Sequence, residues 1–433
     1  MLQTVFYIFL FYLPFQIALN PYPDIDLMSG RVLILVLFFW WLWSIRKSFI
    51  QSLRQLFNFQ TLFLLLFLFL ATVSIFWAKE ISWGIRKLLV FYSIFPLYFI
   101  TSAIIKNEEQ VRKTIRIICF SSFPIILFGI IQFLSQFVFL TSHIVEFLIK
   151  WIGPIFYGRA FSWLVSANLS WMFEIGGRFY LRAVSIFPDS HIFAFYLGLV
   201  APLTLALLLT EKNKKLFGSI LFCQIIAVLF TFSRGGYLAM ASFLVVTAVF
   251  FLKAKVLNKI SKEKKLFVKI TAIFAFVLVS ALILVPVTPI SKCFYSSFDF
   301  SRNSNIERTE IWIEAIDSIA LHPWFGVGIG NFPKVFDPWG KYLSPINAHS
   351  TYLDIASEAG VFTLWAWLVL FLGTITALIK KKNIILFGIA GALIWFSVHA
   401  VVEVPIYNST ILSIIMVLLG LASSATKKQW GSI

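Results

Sequence analysis

"FQTLFLLLFLFLATVSIFW", residues 59–77, contains no charged side chain. A helix of that length reaches about 28 Å at 1.5 Å per residue, close to the roughly 30 Å of a bilayer's hydrocarbon core. A surface helix of a soluble protein would show a polar stripe over the same distance. The stretch therefore reads as a membrane span.

Comparable runs recur on both sides of it. They fall at about 3–19, 31–45, 88–105, 117–140, 190–210, 216–232, 236–252, 266–287, 358–379, 384–401 and 406–424. With 59–77 they predict about twelve spans in an all-α polytopic membrane protein. Composition agrees, with 60% of the 433 residues hydrophobic and 13% charged. Soluble domains carry about a quarter charged residues. The alternating segments of about ten residues that mark an outer-membrane barrel are absent from the sequence.

The formal charge of +17 is a topology signal rather than a nucleic-acid footprint. The segments around Arg46–Arg54, Lys106–Arg116, Glu211–Lys215, Lys253–Lys269, Lys380–Lys382 and Lys427–Lys428 fall on alternate sides of the predicted spans. They hold 22 of the 36 Lys and Arg but four of the 19 acids, a balance of +18 that leaves −1 for the rest. By the positive-inside rule both termini are cytoplasmic. The first span has neither a basic leader region nor a small-residue cleavage site, so it reads as an uncleaved helix. Cys119 and Cys223 lie in spans and Cys293 is alone in an external loop, which predicts no disulfide within a loop.

The whole chain, 1–433, reads as one membrane domain. Two external segments are long: 141–189, rich in Trp, Phe and Gly and expected to hold interfacial or re-entrant helices, and 288–357, just before the tenth span.

Polar residues near a bilayer are costly unless something uses them, and four external positions stand out. Arg182 lies in "YLRAVSIFPDSHIFAFYL" (180–197), just ahead of a span. Arg234 lies in "FTFSRGGYLAM" (230–240), at the tip of a hairpin whose Gly235 and Gly236 permit a compact turn and close backbone approach. Snorkelling to headgroups is the structural alternative for that arginine. Arg308 lies on an expected helix, 306–321, whose acids Glu307, Glu310, Glu314 and Asp317 form one stripe. At about 100° per residue Arg308 falls on the other side with Trp312, Ala315 and Ile319. That placement favours another anion over a salt bridge on its own helix face.

His349 lies in "NAHSTYLDIASEAG" (347–360), where Asn347 is a plausible N-cap. Asp354 and Glu358 share a helix face that points well away from His349, so a group orienting its imidazole has to come from elsewhere. "GVGIGNF" (326–332) looks like a phosphate loop but lacks the strand-to-helix setting, so a turn returning toward the membrane is the better reading. The five His show no metal-ligand spacing. Asp24 and Asp26 in "PDID" give a weak divalent-ion signal. No metal or cofactor is expected.

Taken in order, Arg…Pro-Asp, Ser-Arg-Gly-Gly, Arg…Trp…His-Pro-Trp-Phe-Gly-Val-Gly and Ala-His-Ser…Glu-Ala-Gly-Val resemble the O-antigen ligase and polymerase (WaaL/Wzy) superfamily of bacterial membrane glycosyltransferases. The resemblance covers a catalytic region of about 180–360, including the external loop 288–357, whereas the first 180 residues match in topology alone. It implies a GT-C-like protein of about twelve spans in the bacterial inner membrane, acting on its periplasmic face. It implies an undecaprenyl-diphosphate-linked glycan donor and a lipid A-core or other glycan acceptor. By position it makes Arg182, Arg234 and Arg308 diphosphate contacts and His349 the general base, with membrane lipids but no nucleic acid as further partners. Asp189 departs from the Pro-Asn of many relatives, and no role is assigned to it. The chemistry is consistent: guanidinium groups suit a departing diphosphate, and a neutral imidazole suits a hydroxyl nucleophile, with inversion at the anomeric carbon. A ligase is the first expectation and a repeat-unit polymerase the alternative. A flippase would instead place ionisable groups near the bilayer midplane.

Overall fold

Long apolar runs must satisfy their backbone polar groups internally, so they become helices. The computed structural model describes residues 1–22, 25–167, 170–175, 177–256, 303–340 and 347–427. It is mostly helical. The principal helices are α1 (Leu2–Tyr12), α2 (Ser29–Ile45), α3 (Phe59–Val73), α4 (Ile81–Ile94), α5 (Pro96–Ile104), α6 (Glu108–Ser135) and α7 (Ser190–Thr210). They continue with α8 (Lys214–Phe230), α9 (Arg234–Val256), α10 (Asn303–Leu321), α11 (Thr351–Ala359), α12 (Val361–Lys380), α13 (Ile384–His399) and α14 (Ser409–Lys427). Among the described residues, seven helical stretches are long and apolar enough to cross a membrane: Ser29–Leu56, Phe59–Trp77, Ile81–Ile104, Glu108–Ser135, Ser190–Thr210, Val361–Lys380 and Ser409–Thr426. Leu2–Phe15, Arg234–Val249 and Ile384–His399 are shorter apolar helices. The chain is a multi-pass membrane protein. The predicted ninth span, 266–287, lies outside the described residues, as do Cys293 and Asp24.

Several boundaries differ from expectation for identifiable reasons. The first helix stops by Phe15, because the chain then enters a strand, β1 (Ala18–Tyr22), paired antiparallel with β2 (Ile25–Met28). The fourth helix starts at Ile81 rather than near 88, which carries Lys87 into it. The fifth starts at Glu108, where the Asn107 side chain accepts the Gln110 amide as an N-cap. At the tenth, Gly360 at φ 86° divides α11 from α12, and the Trp324 backbone lies where a Cβ would stand. The predicted helices within 141–189 are present as short turns from Thr141 to Ala167, but that segment also holds a hairpin, β3 (Met172–Ile175) with β4 (Arg178–Leu181).

The centre of the bundle is α7 and α14, whose spanning windows are 89% and 94% buried. α7 packs on α6, α8 and α13. Small residues allow the close crossings: a Cβ on Gly198 would meet the Trp395 ring, and one on Gly388 would meet Ala206 and the Pro202 carbonyl. Lipid offers helices no hydrophobic reason to associate, so close packing of this kind is what holds such a bundle together.

Candidate active site

Arg182 follows β4 and is held by its backbone before its side chain is considered. Its amide donates to the Trp171 carbonyl at 2.7 Å, and its carbonyl accepts from Gln132 Nε2 of α6 at 3.0 Å. Gln136 Nε2 and Oε1 clamp Leu181 in the same way. The Arg182 guanidinium lies over Phe173, 5.7 Å from the ring centroid, and its Nη1 is 3.5 Å from His191 Nε2. Asp189, which the sequence left without a role, is the N-cap of α7 and accepts the Ile192 amide at 2.8 Å. Burial pushes its carboxyl up to about 6, and the charge of Glu403 adds to the rise, against the lowering effect of its backbone hydrogen bonds and Arg182.

The Ser-Arg-Gly-Gly segment is placed differently from the expectation. The turn is made by Thr231–Ser233, with Phe232 at φ 48°, and Arg234 is the first residue of α9. Gly235 and Gly236 are helical and serve close approach alone: a Cβ on Gly235 would meet the His399 ring and Val402, and one on Gly236 would meet Ala194 and Ser233. Ser233 Oγ sits 3.1 Å from His191 Nδ1 and 3.2 Å from His399 Nε2. The His399 ring stacks on Phe195 at 3.6 Å.

The helix predicted for 306–321 is present as α10, with its acid stripe exposed and Ile311, Ala315 and Ser318 buried. Arg308 does face away from the stripe, and the anion it meets is Glu403, in the connection between α13 and α14. Its Nη2 donates to Glu403 Oε1 at 2.6 Å and its Nη1 to the Val402 carbonyl at 3.2 Å.

His349 adopts φ 45°, a left-handed backbone that His and Asn tolerate better than most residues. Asn347 is not the helix cap: its Oδ1 accepts the His349 amide at 2.9 Å, and Ser350 is the N-cap of α11. The turn before the helix leaves Asn347 too far upstream to cap it. His349 Nδ1 faces Glu403 Oε2 at 3.9 Å. Thr351 fixes that relationship, since its amide donates to the carbonyls of Ala400 and Glu403 and its hydroxyl to the Glu403 carbonyl at 2.8 Å. Burial pushes the Glu403 carboxyl up, but His191, His349 and Arg308 outweigh it and hold it well below the usual carboxylate range.

Asp354 and Glu358 do not meet His349, in agreement with the helical geometry. They are buried and share Lys87 of α4, whose Nζ is 2.7 Å from Glu358 Oε2 and 3.4 Å from Asp354 Oδ2. Tyr407 donates to Asp354 Oδ2 at 2.9 Å. Glu358 also accepts the amides of Gly330 (2.9 Å) and Phe332 (3.4 Å). The glycine-rich turn thus gives backbone amides to a protein carboxylate. Gly326, Gly328 and Gly330 all have positive φ and sit against neighbouring backbone. Asp26 accepts the Phe161 amide at 2.8 Å. Among the described residues no group of three His, Cys, Asp or Glu is arranged to hold a metal ion.

The structure therefore gathers Arg182, Arg308 and His349 around His191 and Glu403, with the start of α9 beside them. They lie at one end of the bundle. The other ends of the same helices carry basic segments, with Arg116 Nη2 2.7 Å from Glu211 Oε1 and Asn383 donating to Glu108 at 3.3 Å. Glu403, His399 and Lys87 lay outside every motif. The one signal for Glu403 and Lys87 was an ionisable residue within or between apolar runs.

A bundle of apolar helices with one polar, histidine- and arginine-bearing end defines a multi-pass membrane protein with a candidate site at its surface. Residues 219–368 match the family model described as O-antigen ligase, a match that supports membership of the O-antigen ligase and polymerase family. The matched segment includes Arg234, Arg308 and His349, whereas Arg182, His191, His399 and Glu403 lie beyond it. No curated protein matches the chain.

Proposed function

We propose that the protein transfers a glycan from an undecaprenyl-diphosphate carrier to a sugar hydroxyl of lipid A-core, on the external face of the bacterial inner membrane. The observation that carries this reading is Glu403, whose carboxylate stands 2.6 Å from Arg308 and 3.9 Å from His349. Glu403 facing Nδ1 favours a proton on that nitrogen and leaves Nε2 as the basic one. The acceptor oxygen bonds to the anomeric carbon while its proton passes to Nε2. The bond from that carbon to the diphosphate breaks, and its electron pair leaves with the lipid diphosphate. Glu403 stabilises the imidazolium that forms, and attack opposite the leaving group inverts the anomeric centre.

Arg182, Arg234 and Arg308 are the groups that meet the departing diphosphate. Planar guanidinium donors match its oxygens in pairs, and together they supply the charge a divalent ion would otherwise bring. The +18 balance of the basic segments supports an external position for the opposite, site-bearing end.

The test is purified protein with a defined undecaprenyl-diphosphate glycan and either lipid A-core or a second lipid-linked repeat unit, with products scored by mass. Glycan on lipid A-core is the expected product. Extension of the lipid-linked repeat would make the protein a polymerase, and no transfer to either would overturn the reading.

A further inference from the structure

Ser233 sits between two histidines, and its hydroxyl has one proton to give and two lone pairs to fill. It accepts the Gly236 amide at 3.2 Å, which leaves one acceptor and one donor function for His191 Nδ1 at 3.1 Å and His399 Nε2 at 3.2 Å. One of those nitrogens must therefore carry a hydrogen and the other must not.

Arg182 decides which. Its guanidinium can only donate, so His191 Nε2, 3.5 Å from Arg182 Nη1, has to be the bare nitrogen. The His191 proton is then on Nδ1, which donates to Ser233 with Glu403 Oε1 3.7 Å away. Ser233 in turn donates to His399 Nε2. The His399 proton falls on Nδ1, a buried atom with no hydrogen-bond partner among the described residues. Leaving that N–H unpaired costs free energy, and the His399 ring lies stacked on Phe195 at 3.6 Å. Hydrogen bonds thus run in one direction, from Arg182 through His191 and Ser233 to His399.

We propose that His191 is a positioning residue for glycan transfer, aiming the Arg182 guanidinium at the donor diphosphate, with Ser233 and His399 fixing which of its nitrogens is bare. The proposal rests on the transferase reading above. It gives a role to two histidines and a serine that the base and the leaving-group contacts do not use. Because His191 acts through Arg182 and not on the acceptor proton, its loss falls on donor recognition.

The experiment measures undecaprenyl diphosphate binding and steady-state transfer for wild type, H191L, H191Q and S233A. H191L removes the acceptor facing Arg182, and S233A removes the partner that sets the His191 tautomer. Both should weaken undecaprenyl diphosphate binding and raise the donor KM by about tenfold, the scale of a hydrogen bond to a charged group, with kcat changing far less. H191Q returns a side-chain carbonyl toward Arg182 and should recover most of the lost affinity. Equal binding and KM in wild type, H191L and S233A would overturn the positioning role while leaving the transferase reading intact. So would loss in H191Q as large as in H191L, which would mark His191 as mere packing. Wild-type protein that neither binds undecaprenyl diphosphate nor transfers glycan would remove both readings together.

Discussion

Arg308 and Glu403 meet at 2.6 Å across 95 residues of sequence, and the same carboxylate faces His349 at 3.9 Å. One acid thus joins a helix of the large loop, the turn before α11 and the connection between the last two helices. Replacing it by Gln keeps the shape but removes the charge. Glu403→Gln should lower transfer by about 10²-fold, the usual scale for disabling a general base. The carboxyl is held low in the fold, so the stability it contributes is present above its ordinary value of 4.5 and is lost as pH falls below it. Melting curves of the variant should therefore be flatter on the acid side than those of wild type. Wild-type rates in Glu403→Gln would exclude the carboxylate from the chemistry.

The arginines are tested by charge-conserving change. Lys at 308 cannot reach both the Val402 carbonyl and the Glu403 carboxylate as a planar fork does, and Lys at 234 keeps the charge but lacks a planar fork. Arg308→Lys and Arg234→Lys should each lose most of the transfer activity while still inserting and folding. Near-normal rates in both would remove their guanidinium groups from diphosphate recognition.

Lys87 neutralises two buried carboxylates. Lys87→Met leaves Asp354 and Glu358 facing each other without a cation, at a cost of about 3–5 kcal/mol by analogy with other broken buried pairs. Burial pushes Glu358 up to about 7 even with Lys87 beside it and opposing the rise. A raised carboxyl stabilises below its unfolded pKa, and that contribution is lost as pH rises through its folded value. The variant should thus be weakest at pH 8 and regain stability toward pH 5, readable as thermal melts in detergent. A melting temperature independent of pH and close to wild type would contradict the buried-network account.

The helices and the site were legible to different degrees. Long uncharged runs such as 59–77 and the stripe of acids on α10 report directly on lipid and solvent contact, because both follow from local spacing. The partners of Arg308 and His349 did not show in spacing, because Glu403 reaches them through the packing of α13 against α7. The tip of the Ser-Arg-Gly-Gly turn lies elsewhere than spacing suggests for a related reason: Gly235 packs against the His399 ring and Gly236 against Ala194, both on other helices. The two hairpins escaped because four or five residues of strand leave little pattern among so many aromatics.

Asp189 offers a test of opposite sign to Glu403. Asn caps a helix as well as Asp does, so Asp189→Asn keeps the cap and removes a charge near Glu403. The carboxyl is raised to about 6 from 3.8, so its stabilising effect is present at low pH and disappears as pH rises through about 6. The variant should melt at or above the wild-type temperature at pH 7.5 and show no advantage below pH 4. A lower melting temperature at pH 7.5 would mean that the ionised carboxylate has a favourable partner.

The central claim is that His349 takes the acceptor proton while arginines, not a metal ion, meet the diphosphate. It is tested most directly by the initial rate of glycan transfer in EDTA, measured for wild type and His349→Ala with undecaprenyl diphosphate binding followed in parallel. The account predicts that wild type keeps its rate in EDTA, and that the alanine variant loses about 10²-fold or more while binding the lipid diphosphate as wild type does. Wild-type activity that vanishes in EDTA and returns with Mg²⁺ or Mn²⁺, or an alanine variant that transfers at the wild-type rate, would contradict it.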